Sequence, residues 1–387
     1  MLEHNEKPGK KIYITGKGRC NVTNDCAPED FLREVPRNPR FLYSALHFFG
    51  PRDMMDLLEE NGCPVEVQRG RRVFPRSEKA SDVTKTLVSL CENLGVRILL
   101  RREVTGLKVE EGRIRGAETG DGGFFPADAV ILCCGGCSYP ATGSRGDGYR
   151  LARALGHEVK DPIPSLIPLE AEEAWPATLQ GLSLKNVRVT LLSGKKTLYT
   201  GLGEMLFTHF GFSGPLILEA SCHLPDHPDA SLSLLLDFKP GLSPEQLDAR
   251  LLRDFSAAGK KQLDTVLRGL LPGRLAELFP SLCGLDPALP CHQVSAAGRA
   301  RLAERLKALP LKIRGRRPLA EAIVTRGGVS VREVFPGTME SRKVPGLFLA
   351  GEMLDVDAHT GGYNLQIAFA TGALAGHSAA MDEEDRS

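Results

Sequence analysis

Apolar and polar positions along the chain change their rhythm several times, and the blocks predict a mixed α/β protein. Near the N-terminus KKIYIT reads as a short strand running into the Gly-rich stretch Gly16-Lys17-Gly18-Arg19-Cys20-Asn21. Between Pro39 and Asn61 the apolar residues Phe41, Leu42, Leu46, Phe49, Met54, Leu57 and Leu58 suit two helices separated at Gly50-Pro51. Ser81 is placed to cap a helix running through Leu94, with Gly95 ending it. A run of strands follows in VRILL, EVTGLKVE, GRIRGAET and FPADAVILCC, with turns at Glu111-Gly112 and Gly120-Asp121-Gly122-Gly123. The last of these does not alternate, as expected of a strand covered on both faces. It ends at Gly135-Gly136, and a helix is predicted from Gly146 to Leu155, stopped by Gly156.

After Pro162 the texture changes. The short, Pro-punctuated strands SLIPLEAE, NVRVTLL and KKTLYT predict a separate β-rich domain. Residues 243–309 are strongly helical, opened by Ser243-Pro244 and closed at Pro310. Strand-like text resumes at 319–335, VPGLFLAGE at 344–352 reads as another fully buried strand, and a last helix runs from Tyr363 towards Ala380. The tail DEEDRS reads as frayed. The expected division is therefore 1–160, 161–240, 241–310, 311–336 and 337–387, the first and last segments forming one domain around a β-rich domain with a helical insertion.

Composition narrows the class. A chain of 387 residues, 42% hydrophobic and 25% charged, has the profile of a soluble globular enzyme with two or three domains. Lys+Arg 49 against Asp+Glu 48 implies no cationic face, so a small-molecule substrate is expected, with neither nucleic acid nor membrane as main partner. No apolar run approaches the roughly 20 residues needed to span a bilayer. The opening MLEHNEKPGKK has no signal-peptide core, so a cytoplasmic location is expected. The 10 cysteines then read as reduced thiols, and no metal site is expected from their spacing. Oligomeric state is not legible.

Three blocks carry candidate chemistry. In the first, the strand Leu347–Ala350 ends in Gly351-Glu352, and Gly361-Gly362-Tyr363-Asn364-Leu365-Gln366 then opens an Ala-rich helix. Glycines there permit close approach by a ligand, and the helix start favours negative charge. The same glycines serve equally well in an ordinary strand–loop–helix. In the second block, Cys133-Cys134-Gly135-Gly136 precedes Thr142-Gly143-Ser144-Arg145-Gly146-Asp147-Gly148-Tyr149, a cofactor-contacting crossover or a plain connection. In the third, Gly16 and Gly18 let the backbone approach phosphate or ring, and Arg19 offers a positive fork. The third glycine of a GxGxxG fingerprint is replaced there by Asn21.

Together, GKGRCNVTN, CGGCSYPATGSRGDGYRLARALGH, GEMLFTHFGFSGPLIL and VTRGGVSVREVFPGTMESRKVPGLFLAGEMLDVDAHTGGYNLQIAFATG resemble the HI0933-like flavoprotein family. The family is also called the BaiN/RdsA or aminoacetone-oxidase-like group of NAD(P)/FAD-dependent oxidoreductases. The likeness covers nearly the whole chain. It implies a Rossmann-like FAD-binding domain of glutathione-reductase type, interrupted by a β-barrel-like domain with a helical subdomain. It further implies FAD contacts at Glu3, Gly16, Gly18, Arg19, Cys20, Asn21, Val104, Gly135, Gly136, Gly351, Glu352, Gly362, Tyr363, Asn364, Leu365 and Gln366. A helix start aimed at the flavin N1/C2=O edge stabilises the reduced cofactor.

The opening departs from the family pattern. Members begin with a strand, a GxGxxG turn and a helix, and only then reach text like Leu2-Glu3-His4-Asn5-Glu6-Lys7-Pro8-Gly9-Lys10-Lys11. By analogy Glu3 binds the adenosine ribose, and such an acid lies about 20 residues after the fingerprint, so roughly 25–30 residues are expected to be missing. A misplaced start codon is the expected reason, ahead of a shortened chain or a gene remnant. A chain truly starting at Met1 is expected to bind FAD weakly and to be poorly stable.

Smaller signals are weaker. Cys134-Gly135-Gly136-Cys137 is a CxxC that ends a strand, which favours a structural over a redox role. The candidate catalytic residues are His209, a proton donor or a packing histidine, and Arg326, an anion-orienting group or an ion-paired arginine. Tyr139 and Tyr363 either stack on the ring or cover it. The expected function is hydride transfer through flavin N5, with NAD(P)H as a transient donor reducing an organic substrate such as the enone of a 3-oxo steroid or bile acid. Oxidation of a small amine such as aminoacetone is the alternative, and a non-catalytic remnant that no longer holds FAD is the rival from another class.

Overall fold

Two parallel pairings bring together segments far apart in sequence. Leu347–Leu349, wholly buried, lies beside Val130–Leu132, and Leu2–Glu3 lies beside Leu99–Leu100. Both belong to a computed structural model that describes residues 1–227 and 231–381, so the tail DEEDRS lies outside the described residues. Its contacts divide the chain into two units, Met1–Ser165 with the chain from Pro318 on, and Leu166–Arg317.

In the first unit the non-alternating apolar run Leu347–Ala350 is buried among Leu132, Tyr149, Leu151, Ile367 and Leu374. Buried parallel strands need such two-sided cover. The final helix, Tyr363–Ala380, packs on this core, and its Leu365 and Phe369 reach a second cluster built on Cys20, Val22, Met54 and Leu58. A small antiparallel sheet adds Thr23–Asn24 to the hairpin Val65–Gln68 and Arg72–Pro75. Another pairs Val104–Glu110, Arg113–Thr119 and Phe124–Pro126.

The second unit is a closed six-stranded barrel with helices. Its strand order is Leu169–Ala171, Gly211–Ser213, Lys196–Thr208, Ser183–Ser193, Leu232–Asp237, Leu309–Arg316. Alternation explains the barrel wall: Leu184, Val187, Val189 and Leu191 turn inward while Lys185, Arg188 and other intervening residues face out. Ser243 starts the helix Pro244–Ala258 through a capping box with Gln246. Leu247, Leu251, Phe279, Leu302 and Leu306 then share one core with Leu234 and Leu236 of the barrel.

Four expectations are corrected. KKIYIT is a helix, Lys10–Ile14, because Gly9 turns the chain at φ 69° and only Ile12 packs inward, beside Leu87, while Ile14 is exposed. Ser81 is no cap. Lys79 holds that position, and the Ser81 hydroxyl donates to Asp82 Oδ1 at 3.2 Å within the first turn. FPADAVILCC is two strands broken at residues 127–129, leaving Cys133 and Cys134 beyond the second. The text at 319–335 supplies the buried strand Val324–Val329, which pairs antiparallel with Val159–Ser165 in the first unit and takes no part in the barrel.

A buried histidine ties down this last region. His157 Nε2 meets Ser341 Oγ at 2.9 Å and His157 Nδ1 lies 3.2 Å from Glu333 Oε2, while Lys343 Nζ reaches Glu333 Oε1 at 2.7 Å. Burial lowers the His157 pKa, against the attraction of Glu333 and reinforced by Lys343. Because the folded form holds fewer protons, this contribution is complete above the unfolded histidine value of about 6.5 and is lost as pH falls through the folded value. The thermal midpoint should therefore drop on acidification from about pH 7 to about pH 5, and His157→Gln should flatten that dependence. An unchanged slope in His157→Gln, measured by thermal melts across that range, would remove His157 from the account.

Candidate cofactor site

The site grows from one carboxylate. Glu352, at the end of the buried Leu347–Leu349 strand, accepts from Ser138 Oγ at 2.9 Å and from the Thr325 backbone N–H at 2.8 Å, and is ion-paired with Lys11 Nζ. Lys11 also donates to Ser138 Oγ at 2.7 Å. Thr325 Oγ1 in turn accepts from the backbone N–H of Cys137 and Ser138 at 2.8 and 3.0 Å. Charge-assisted bonds of this kind are about twice as strong as neutral ones. Gly136 sits inside the knot, and a Cβ there would come within 2.4 Å of Thr325 Oγ1 and 3.2 Å of the Glu352 carboxyl carbon. Only glycine fits. The helix carrying Lys11, the turn after Val130–Leu132 and the Gly351-Glu352 turn are thereby drawn to one place.

The second wall is the start of the final helix. Gly362 is its N-cap, at φ 99° and without a capping side chain. A Cβ at Gly362 would lie 2.3 Å from the Thr23 carbonyl oxygen, so the helix start is pressed against the strand Thr23–Asn24. Asn24 Nδ2 donates to both Gly361 O and Gly70 O at 3.1 Å. The helical ladder begins with Gln366 N–H to Gly362 O at 3.1 Å, leaving the earlier N–H groups and the positive end of an 18-residue helix. Three buried polar atoms in the adjoining residues, Asn21 Oδ1, Thr23 Oγ1 and Gln366 Oε1, have no partner among the described residues. Such groups are rare unless something supplies the missing bond.

Other residues singled out in the sequence fall as follows. Gly16 and Gly18 have φ of 56° and 87°, and a Cβ at Gly16 would meet the Asn21 backbone nitrogen at 2.9 Å. Cys20 is fully buried, and that burial pushes its thiol up to about 11. Arg19 stacks over the Phe74 ring at 4.2 Å and pairs with Glu78 at 2.6 Å. Gly135, at φ 74°, faces Ser144. Gly351 donates its N–H to Thr371 Oγ1 at 2.9 Å. Tyr363 sets its ring edge-on to Phe31 at 5.0 Å, Tyr139 is exposed, and Leu365 packs inward. The Asn364 side chain pins the preceding loop, accepting from Ala358 N–H at 3.0 Å and donating to Ala358 O at 2.8 Å and His359 O at 3.2 Å. Glu3 Oε1 accepts from the backbone and side-chain nitrogens of Asn5, both at 2.9 Å, next to a cavity of about 370 Å³ lined by His4, Asn5, Lys10, Arg101, Arg145 and others. Val104, half-buried, begins the Val104–Glu110 strand, and its carbonyl accepts from Arg150 at 3.4 Å.

The two catalytic candidates are placed differently. Arg326 is buried against fully buried Asp357, Nη2 to Oδ2 at 3.2 Å, and Ser165 Oγ donates to the same Asp357 oxygen at 2.5 Å. Of the two roles left open for Arg326, the geometry is that of the ion-paired arginine. His209 belongs to the second unit, exposed in the turn after Lys196–Thr208, its ring edge-on to Phe210 at 4.9 Å. The cysteines of the CxxC are free. Cys134 stands solvent-accessible but crowded by protein, which pushes its thiol up to about 12, the opposite of a reactive redox thiolate. The sequence did not single out Lys11, Ser138 and Thr325. No motif marks them, because their importance comes only from meeting Glu352.

Glycine-walled approaches, unsatisfied buried polar atoms and an uncapped helix start fit the ring-and-ribityl portion of a flavin. A family model described as the HI0933-like protein Rossmann domain matches residues 1–378. The chain belongs to the HI0933-like family. Its members are FAD-dependent oxidoreductases, and this chain is an enzyme of that class. It is 33% identical to the 3-dehydro-bile acid delta(4,6)-reductase of Clostridium scindens over 383 residues, 98% of this chain and 92% of that protein. It is 30% identical to the ribosomal RNA dihydrouridine synthase of Escherichia coli K12 over 377 residues, 96% of this chain and 89% of that protein. A quinol-fumarate reductase structure shares the fold at a TM-score of 0.50 and 16% identity, covering 98% of this chain and 65% of that one. Among the described residues no helix is long and apolar enough to cross a membrane, and no cluster could hold a metal ion.

The tightest joint gives a direct test. Gly362→Ala adds a Cβ against the Thr23 backbone and strains a left-handed residue, at about 1–3 kcal/mol for the conformation alone. It should lower the melting temperature by several degrees and reduce FAD content, read from thermal melts and the flavin spectrum of purified protein. A variant with native stability and flavin content would show that the helix start is not held as described.

Proposed function

We propose that this HI0933-like enzyme uses FAD to reduce a carbon–carbon double bond conjugated with a carbonyl group, taking its electrons from NAD(P)H. One observation carries the reading: the curated relatives matching nearly the whole chain are named for that bond change. One is a delta(4,6)-reductase of a 3-dehydro-bile acid, and the others make dihydrouridine, a uridine whose ring double bond next to a carbonyl has been saturated. Two unlike substrates with one reacting group point to the enone or enone-like unit as what the site reads.

The residues have clear parts in this proposal. Bound FAD supplies hydride transfer through its N5. Gly361 and Gly362 bring the open N–H end of the final helix to the pyrimidine edge of the ring, where negative charge grows on reduction. Asn21 Oδ1 and Gln366 Oε1 offer acceptors to its N–H groups. Glu352 accepts from the ribityl hydroxyls while Lys11, Ser138 and Thr325 hold it in place. Glu3 takes the adenosine ribose, with Val104 on the same side, while the turn Gly135-Gly136 lets the backbone close on Glu352 beside the ribityl chain. Gly16, Gly18 and Cys20 shape the backbone under the ring, with Arg19 at its margin. The donor docks against the flavin face only transiently, giving up its hydride and leaving before the substrate enters.

Anaerobic stopped-flow spectroscopy separates the alternatives. NADPH or NADH should bleach the oxidised flavin band, and a 4-ene-3-oxo steroid should restore it. Bleaching by aminoacetone without nicotinamide, followed by rapid recovery in oxygen, would make the protein an amine oxidase.

A further inference from the structure

The near-zero net charge conceals a local cationic edge. Four arginines, Arg69, Arg71, Arg72 and Arg76, fall between residues 69 and 76, and three of them sit at the tip of the hairpin Val65–Gln68 and Arg72–Pro75. Arg71 meets Asp30 at 3.5 Å. Arg69 and Arg72 have no carboxylate partner among the described residues, and both are exposed. Arg72 Nε donates to Arg69 O at 3.0 Å, which fixes the guanidinium at the tip. Arg71 holds a left-handed φ of 57° beside Gly70 at 78°, a turn where glycine or asparagine is the unstrained choice. Like charges and a left-handed arginine at one turn oppose folding.

The place of this turn is what gives it meaning. Asn24 pairs with Arg72 across the small sheet, and its side chain bonds Gly70 O and Gly361 O at once. One amide nitrogen thus joins the Gly70 carbonyl of the arginine tip to the Gly361 carbonyl beside the start of the final helix, at 3.1 Å to each. A dinucleotide presenting its nicotinamide at the flavin extends its pyrophosphate, and beyond that its 2′-phosphate, away from the ring towards groups exposed beside the site. Arginine is the residue suited to them, since its planar fork matches phosphate oxygens.

We propose that Arg69 and Arg72 form the phosphate grip for the nicotinamide donor and, by binding its 2′-phosphate, select NADPH over NADH. The inference rests on the reading that a nicotinamide dinucleotide reduces this flavin. The anion-orienting role that the sequence left open for Arg326 falls to these two residues instead, because Arg326 is buried against Asp357. A nucleic-acid backbone is the competing polyanion. The small extent of the patch and a net charge of +1 favour a ligand with few phosphates.

The test uses the FAD-loaded protein, with Arg69→Ala, Arg72→Ala and the double variant, and with Arg52→Ala as a control in which the arginine removed is already paired with Asp56 on its own helix. Flavin content should not change. Calorimetric titration with 2′,5′-ADP should show binding to the native protein and to Arg52→Ala, weakened at least about tenfold in the double variant. The apparent affinity for NADPH in flavin bleaching should fall similarly, while NADH and the limiting rate stay level. Equal losses with NADH and NADPH, unchanged 2′,5′-ADP binding, or a loss seen only with a ribosomal RNA hairpin would each overturn the proposal. Failure of both nicotinamides to bleach the native flavin would instead sink the reading on which it rests.

Discussion

Glu352 is the point on which the first unit depends. An ionised carboxylate needs several donors when half withdrawn from water, and here the donors arrive from three distant stretches: Lys11, Ser138 and the Thr325 backbone. Meeting that need fixes how the N-terminal helix, the turn after Val130–Leu132 and the strand Val324–Val329 stand relative to one another. Gly136 is the steric condition for the same arrangement, since any side chain would drive Thr325 away. In this chain the glycines flanking the candidate site first let protein segments close on each other, and the cradle for a cofactor follows from that closure.

Much of this was legible because it lies in strong, local patterns. The non-alternating run Leu347–Ala350 demanded two-sided burial and received it. The capping signal Ser243-Pro244 with Gln246 started a helix where it stood. The glycine-bearing ends around Asn21, Gly136 and Asn364 are linked through Asn24–Gly361 and Lys11–Glu352. What could not be read depends on partners remote in sequence. Lys10–Ile14 offers too few residues for its period to decide between helix and strand, so the Gly9 turn and a neighbouring helix decide it. Arg326 could not be told from a solvated arginine until Asp357, 31 residues on, was beside it.

Charge shows the same divide between a sum and an arrangement. A balance of 49 basic and 48 acidic residues describes the whole chain correctly yet says nothing of where the charges stand. Folding neutralises Arg326 in the interior and Arg19 against Glu78, while leaving Arg69 and Arg72 outward at a turn tied to the final helix. Electrostatic recognition follows this local pattern more than the total.

The central claim is that segments near Asn21, Gly136 and Asn364 converge on one flavin. Hydrogen–deuterium exchange with and without saturating FAD tests it most directly. The account predicts slowed exchange in residues 16–24, 134–138 and 361–366 together, with the second unit's barrel strands unaffected. Protection in only one of these stretches, or in none, would contradict it.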